Sequence, residues 1–197
     1  MRKKALIGFL LAALMLSGCA MTPKDMGAGY MFTLAPEKNI RHASAGMRLV
    51  VSLPSAAPEL DTYRVALIRN GRIQDYYAGA RWADFLPVLV QDSLIKTIEN
   101  SGIFMAAADQ TGLEGDRILR TEIRIFQAEY KKDRLPPTVK IRMVVSLLNH
   151  QDRKILSSFE IGAEKEAARD SLSSIHAAFK SAYDETQRRL IAKLERH

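Results

Sequence analysis

Along much of this chain apolar and polar residues alternate with the period of a strand, and two stretches switch to the period of a helix. Met47, Leu49, Val51 and Leu53 alternate with Arg48, Val50 and Ser52, which predicts one strand face ended by Pro54. Tyr63, Val65 and Leu67 predict the next strand, and Asn70-Gly71 turns it into Arg72 to Tyr77, because both residues tolerate positive φ. Leu119, Thr121, Ile123 and Ile125 share a face, as do Val139, Ile141, Met143, Val145 and Leu147. A third such strand carries Ile155, Phe159 and Ile161, so a meander of half-buried antiparallel strands is expected. Shorter extended pieces are expected at Tyr30 to Leu34 and Ile103 to Ala107.

The helical period first covers Trp82, Phe85, Leu86, Leu89, Val90, Leu94, Thr97 and Ile98, with Pro87 in or near the first turn and Gly102 as the cap. Leu172, Ile175, Phe179, Tyr183, Thr186, Leu190 and Leu194 form the second stripe, with Asp170 or Ser171 placed to cap its free amides. Two amphipathic helices and a sheet with one apolar face bury each other. The expected fold is α+β within the broad α/β class, a two-layer sandwich whose mixed, largely antiparallel sheet carries both helices on one face. Strand order is left open by this pattern, and no internal repeat is visible.

The first residues follow another rule. Arg2, Lys3 and Lys4 precede an apolar run from Ala5 to Leu16, and Leu16-Ser17-Gly18-Cys19 ends it as a lipobox. Residues 1–18 are expected to be a lipoprotein signal peptide cut between Gly18 and Cys19. Residues 19–29 then form the lipidated N-terminus and tether, and 30–197 the folded domain. The run falls short of the roughly 20 apolar residues that span a bilayer. Cys19 is the only cysteine, so neither a disulfide within the chain nor a cysteine metal cluster competes for its thiol. Covalent diacylglycerol and an N-acyl chain such as palmitate on Cys19 would be the only attached groups, anchoring the protein to a membrane; no cofactor is expected. Ala20, where enterobacterial sorting reads Asp as a retention signal, favours the outer membrane over the inner.

A composition of 47% hydrophobic and 26% charged residues suits an ordinary globular domain. The formal net charge of +7 includes three basic residues of the leader and falls to +4 without them; an exported, lipidated chain meets phospholipid and envelope proteins, so nucleic acid is set aside as a partner. Lys131, Lys132 and Arg134 fit a solvated turn. Chemistry is equally sparse. His42, His150, His176 and His197 are scattered without metal-ligand spacing, with His176 beside the apolar stripe of the last helix. No serine sits in a nucleophile elbow, and Gly112 with Gly115 makes no phosphate loop. Glu160, Glu164, Glu166 and Asp170 fit a solvated charged face. The chain is expected not to be an enzyme and to bind no metal.

Tyr63-Arg64-Val65-Ala66-Leu67, then Tyr76-Tyr77-Ala78-Gly79-Ala80-Arg81-Trp82-Ala83, then the helix through Leu94 to Ser101-Gly102, resemble the ABC-type transport auxiliary lipoprotein family. That family includes the lipoprotein component of paraquat-inducible envelope systems. The proline of Phe85-Leu86-Pro87 stands a little later than in the family's pattern. The resemblance implies an accessory subunit that hydrolyses no ATP and works beside an ABC permease, an ATPase and a periplasmic protein of the mammalian-cell-entry type, in a system that moves lipid. A docking or scaffold role is expected, with several copies in a ring as one form; the alternative is a periplasmic module that carries lipid in a groove between helices and sheet. Arg81 and Trp82 have two readings. Trp82 falls on the apolar stripe and suits the core, with Arg81 fixing the turn before it, whereas an exposed Arg-Trp pair would suit a partner interface.

Overall fold

The computed structural model describes residues 29–37, 46–111, 114–131 and 135–196. Cys19, Gly18, His42, His197, Gly112, Lys132 and Arg134 lie outside them. The strands are β1 (Tyr30–Phe32), β2 (Arg48–Val51), β3 (Ser55–Ala56), β4 (Arg64–Arg69), β5 (Ile73–Trp82), β6 (Ala106–Ala108), β7 (Arg117–Tyr130), β8 (Thr138–Asn149) and β9 (Ile155–Glu166). Helix α1 (Leu86–Ser101) separates β5 from β6, and α2 (Leu172–Leu194) follows β9.

All nine strands join one mixed sheet, organised by β7. Along one side β7 pairs antiparallel with the whole of β8, which pairs antiparallel with β9. Along the other side β2, β3 and β4 lie end to end, each parallel to a different part of β7. Beyond β2 lies β6, and beyond β4 come β5 and then β1. The two-layer α+β arrangement expected from the pattern is present: α1 packs against β2 and β6, α2 against β8 and β9, and the helices touch each other. Their buried faces share one core with the sheet, including Leu94, Ile98, Ile141, Phe179 and Leu190.

Several boundaries differ from the pattern for identifiable reasons. Trp82 ends β5 rather than starting a helix. The helix begins at Leu86, where Pro87 occupies the first turn and lacks only an amide that has no helical partner. Phe85 at the cap is 45% exposed. The bulge between Ile123 and Ile125 shifts the period of β7, so Phe126 enters the core and Ile125 is half-buried. A second irregularity, at the start of β9, pairs Leu148 with Ile155 and Leu147 with Ser157, which leaves Ile155 61% exposed. Leu53 lies beyond the end of β2 and Tyr63 before β4, and both are exposed. The expected strand at Ile103 begins at Ala106, although Ile103 and Phe104 are buried. The Asn-Gly hairpin forms as expected: Asn70 and Gly71 both have positive φ, and the Arg72 amide donates to the Arg69 carbonyl at 3.2 Å. Ser171 caps α2, its hydroxyl accepting from the Ser174 amide.

Candidate docking surface

The tyrosine-glycine-tryptophan segment makes an edge with two different sides. Between β4 and β5 the register jumps, with Arg64 opposite Arg81 but Ala66 opposite Tyr76. The extra residues of β5 bulge there, and Gly79 takes the positive φ of 74° that the bulge requires. Arg64 lies over the ring of Tyr76, 3.7 Å from its centre, and the Tyr76 hydroxyl donates to the Glu59 carbonyl. The Tyr77 hydroxyl donates to that of Tyr130 at 3.1 Å, and Tyr130 donates to the Asp170 carboxylate at 2.7 Å. Burial pushes both phenols above their ordinary range, so each keeps the proton that this chain of hydrogen bonds uses.

Arg81 and Trp82 point to opposite faces. Trp82 is 1% exposed and meets Phe32, Phe126 and Phe179 edge-on, with ring centres 5.2–5.5 Å apart. Its indole is enclosed by those rings and has no surface to offer a partner, so the interface reading is withdrawn for Trp82. Arg81 is exposed. Its register neighbour Met31 is 50% exposed, and close by the exposed rings of Tyr63 and Phe85 meet edge-on at 5.9 Å. The amide of Trp82 donates to the Tyr63 carbonyl, which ties the residue carrying one of those rings to the end of β5, while Arg64 stands across from Arg81. An arginine among exposed apolar side chains is a composition that partner interfaces favour.

Next to this patch the N-terminal segment is fastened to both helices. His176 of α2 stacks on Phe32, and its Nε2 lies 3.2 Å from the Thr33 nitrogen and 3.1 Å from the Thr33 oxygen. Depending on its tautomer it accepts from the first or donates to the second. Further along, the Gln187 side chain receives hydrogen bonds from Thr97, from Ser93 at 3.3 Å and from the Glu37 amide at 3.3 Å, and donates to the Ala35 carbonyl at 3.0 Å. Arg188 closes the strap by pairing with Glu37 at 2.7 Å. Burial, and then the Glu37 charge, raise the Asp184 carboxyl. Thr97 and Thr186 stood in the apolar stripes, but nothing along the chain pointed to Gln187 as the centre of a buried network.

The sheet face opposite the helices is charged. Arg124 bridges Glu122 and Glu160, and Arg142 bridges Glu160 and Glu164, at 3.4–3.8 Å. All five are about half exposed, as a solvated face should be. At the edge of this face a groove of about 500 Å³ runs between β9 and the C-terminal half of α2, where Arg189 donates to the Gly162 carbonyl at 2.6 Å. A Cβ on Gly162 would stand 2.2 Å from the Ile141 oxygen, and a glycine inside a strand pattern is the signal for such a close approach. Among the described residues no three His, Cys, Asp or Glu side chains gather as metal ligands, and no helix is long and apolar enough to cross a membrane. His150 sits alone at the turn after β8 with its Nδ1 buried and unpaired.

Solved structures share this architecture. Protein XCC0632 from Xanthomonas campestris superposes with a TM-score of 0.74 at 24% identity, over 82% of this chain and 91% of that one. A second, uncharacterised protein gives 0.67 at 14% identity, over 85% and 99%. At these identities the likeness establishes the fold. No curated protein matches the sequence. The family model for the ABC-type transport auxiliary lipoprotein component matches residues 30–191, which runs from β1 into the last turns of α2. The chain therefore belongs to the ABC-type transport auxiliary lipoprotein component family.

Proposed function

We propose that this protein is the lipid-anchored docking subunit of an ABC-type envelope system that moves lipid, with a mammalian-cell-entry-type periplasmic protein, an ABC permease and an ATPase as its partners. One observation carries the docking role over lipid carriage. The space between helices and sheet is filled by the Trp82, Phe126, Phe179 and Tyr183 rings, so the core keeps no room for an acyl chain. The groove beside β9, along the sheet edge, lies outside that core, and so does the one at the Asn70-Gly71 turn. The subunit contributes position rather than chemistry, and the exposed set around Arg81 is the surface assigned to the partner.

In this reading the chain is cut between Gly18 and Cys19 and acylated on Cys19, each buried methylene adding about 0.8 kcal/mol to anchorage. The 19–29 segment, at most ~3.6 Å per residue, keeps β1 within about 40 Å of the membrane, which we take to be the outer one. Capture on full-length protein, extracted gently from the envelope, tests the proposal. It should bring down the permease complex or the mammalian-cell-entry protein, and Cys19→Ser should leave the domain folded but end that association. An empty capture, together with lipid retained in native mass spectrometry, would favour the carrier instead.

A further inference from the structure

The sheet has two very different sides, with the short β1 and β6 as edge strands on one and β9 on the other. At one, β1 pairs with β5 where the N-terminal segment enters the domain. At the other, β9 pairs only with β8 and runs for 12 residues. The Ala167 amide donates to the Pro137 carbonyl, which sets the phase of the antiparallel ladder. In that phase Ile161, Ala163 and Lys165 bond toward β8, whereas the amides and carbonyls of Glu160, Gly162, Glu164 and Glu166 point away from it. The Arg189 contact to the Gly162 carbonyl agrees with this phase. The other outward groups are open, as on any unpaired edge.

One wall of the groove beside them is α2. Ile161, Ala163 and Lys165 line the groove from β9, and Ala192, Lys193 and Arg196 from the end of α2 and just beyond. Arg142 and Arg189 are already matched to carboxylates. Among the described residues Lys165, Lys193 and Arg196 have no ion pair. An edge strand flanked by a helix is a geometry that receives extended peptides, the backbone supplying affinity and the flanking side chains selectivity.

We propose that the β9 edge, with Lys165, Lys193 and Arg196 beside it, takes up an extended acidic segment of a partner protein as an added strand. The unmatched positive charge selects acidic side chains, and the alternating open amides select a peptide backbone over a lipid headgroup, which has no complementary repeat. The edge also lies five strand spacings, about 24 Å, from the strand where the anchored end enters, so it is presented away from the tether. This deepens the docking reading and rests on it, by naming a second contact and its chemistry.

The test uses full-length protein in detergent micelles and a fluorescent probe, acetyl-Thr-Glu-Thr-Glu-Thr-Glu-Thr-amide, followed by anisotropy. Saturable binding is expected, weakened about tenfold or more by Lys193→Glu combined with Arg196→Glu and by N-methylation of alternate probe residues. Amide exchange should slow at Glu160, Gly162 and Glu164 when the probe binds and stay unchanged at Ile161 and Ala163. Both substituted residues are exposed, and an unchanged thermal melt would verify folding. Absence of saturable binding overturns the proposal, as does binding indifferent to N-methylation. Dihexanoyl phosphatidylglycerol binding in place of the probe, with the same dependence on Lys193 and Arg196, would make the groove a lipid site and also overturn it. Probe binding beside an empty envelope capture would keep the edge and remove the proposed partner, so the two readings fail separately.

Discussion

Replacing Trp82 with Ala separates a core tryptophan from a docking one. Trp82 is 1% exposed, and the substitution removes three edge-on ring contacts at once, to Phe32, Phe126 and Phe179. Each such contact contributes about 0.5–1.5 kcal/mol beyond the area it buries. The surrounding rings belong to two strands and a helix and cannot all close on the space, so the loss should reach about 3–5 kcal/mol. For a domain of this size that lowers the melting temperature by about 6–20 °C. Trp82→Phe, which keeps part of the ring, should lose about half as much. Arg81→Ala should change stability by no more than about 0.5 kcal/mol while weakening partner capture. Denaturant unfolding followed by far-ultraviolet circular dichroism reads all three variants. In the wild type, emission from this sole tryptophan should be blue-shifted and poorly quenched by acrylamide. A Trp82→Ala protein that unfolds at the wild-type midpoint yet fails to assemble would refute the core assignment.

Gly162→Ala should destabilise the β8–β9 ladder by about 1–3 kcal/mol, because its Cβ would meet the Ile141 carbonyl; a calorimetric melt checks this. Gln187→Leu leaves Thr97, Ser93 and the Ala35 carbonyl short of a partner, at about 1–3 kcal/mol per group left buried and unpaired, and should speed amide exchange at Glu37. Asp116 accepts from the Arg48 backbone amide at 2.9 Å and pairs with its side chain, which holds the carboxyl below the usual aspartate range. Its folded value is depressed, so its contribution is present above the unfolded value of about 3.9 and lost as pH falls through the folded one. Asp116→Asn should therefore flatten the loss of melting temperature between about pH 5 and pH 2.

The long strands, the Asn70-Gly71 hairpin and α2 were legible because each repeats one period over enough residues to announce its face. What failed was short or interrupted. β1 is present as expected, β6 starts three residues later than expected, and the two-residue β3 is too short to show a period; the parallel pairing of all three depends on residues distant in sequence. Trp82 precedes Phe85 and Leu86 by three and four residues and so imitates a helical stripe from inside a strand. The bulge after Ile123 is invisible as a pattern, yet it decides that Phe126 rather than Ile125 reaches the core. At the candidate surface, Arg81 could be named from sequence, but its neighbours Met31, Tyr63 and Phe85 are assembled by pairing between distant segments. The β9 groove was hidden for the same reason: being an edge is a property of the sheet, while the strand's own residues give only Gly162 as a hint.

The strap formed by residues 30–37 also has a mechanical meaning. If the chain is tethered through its N-terminus, any pull from the membrane arrives at Tyr30 and meets, in order, the three-residue pairing with β5, the His176 stack and the Gln187 network. Phe32 is the firmest of these attachments, fully buried and packed against Trp82 and Phe179. The load is thus handed from the chain end directly into the aromatic core. A domain attached in this way works as a plug on a short leash, its packed interior rather than a loose end carrying the tension from the membrane.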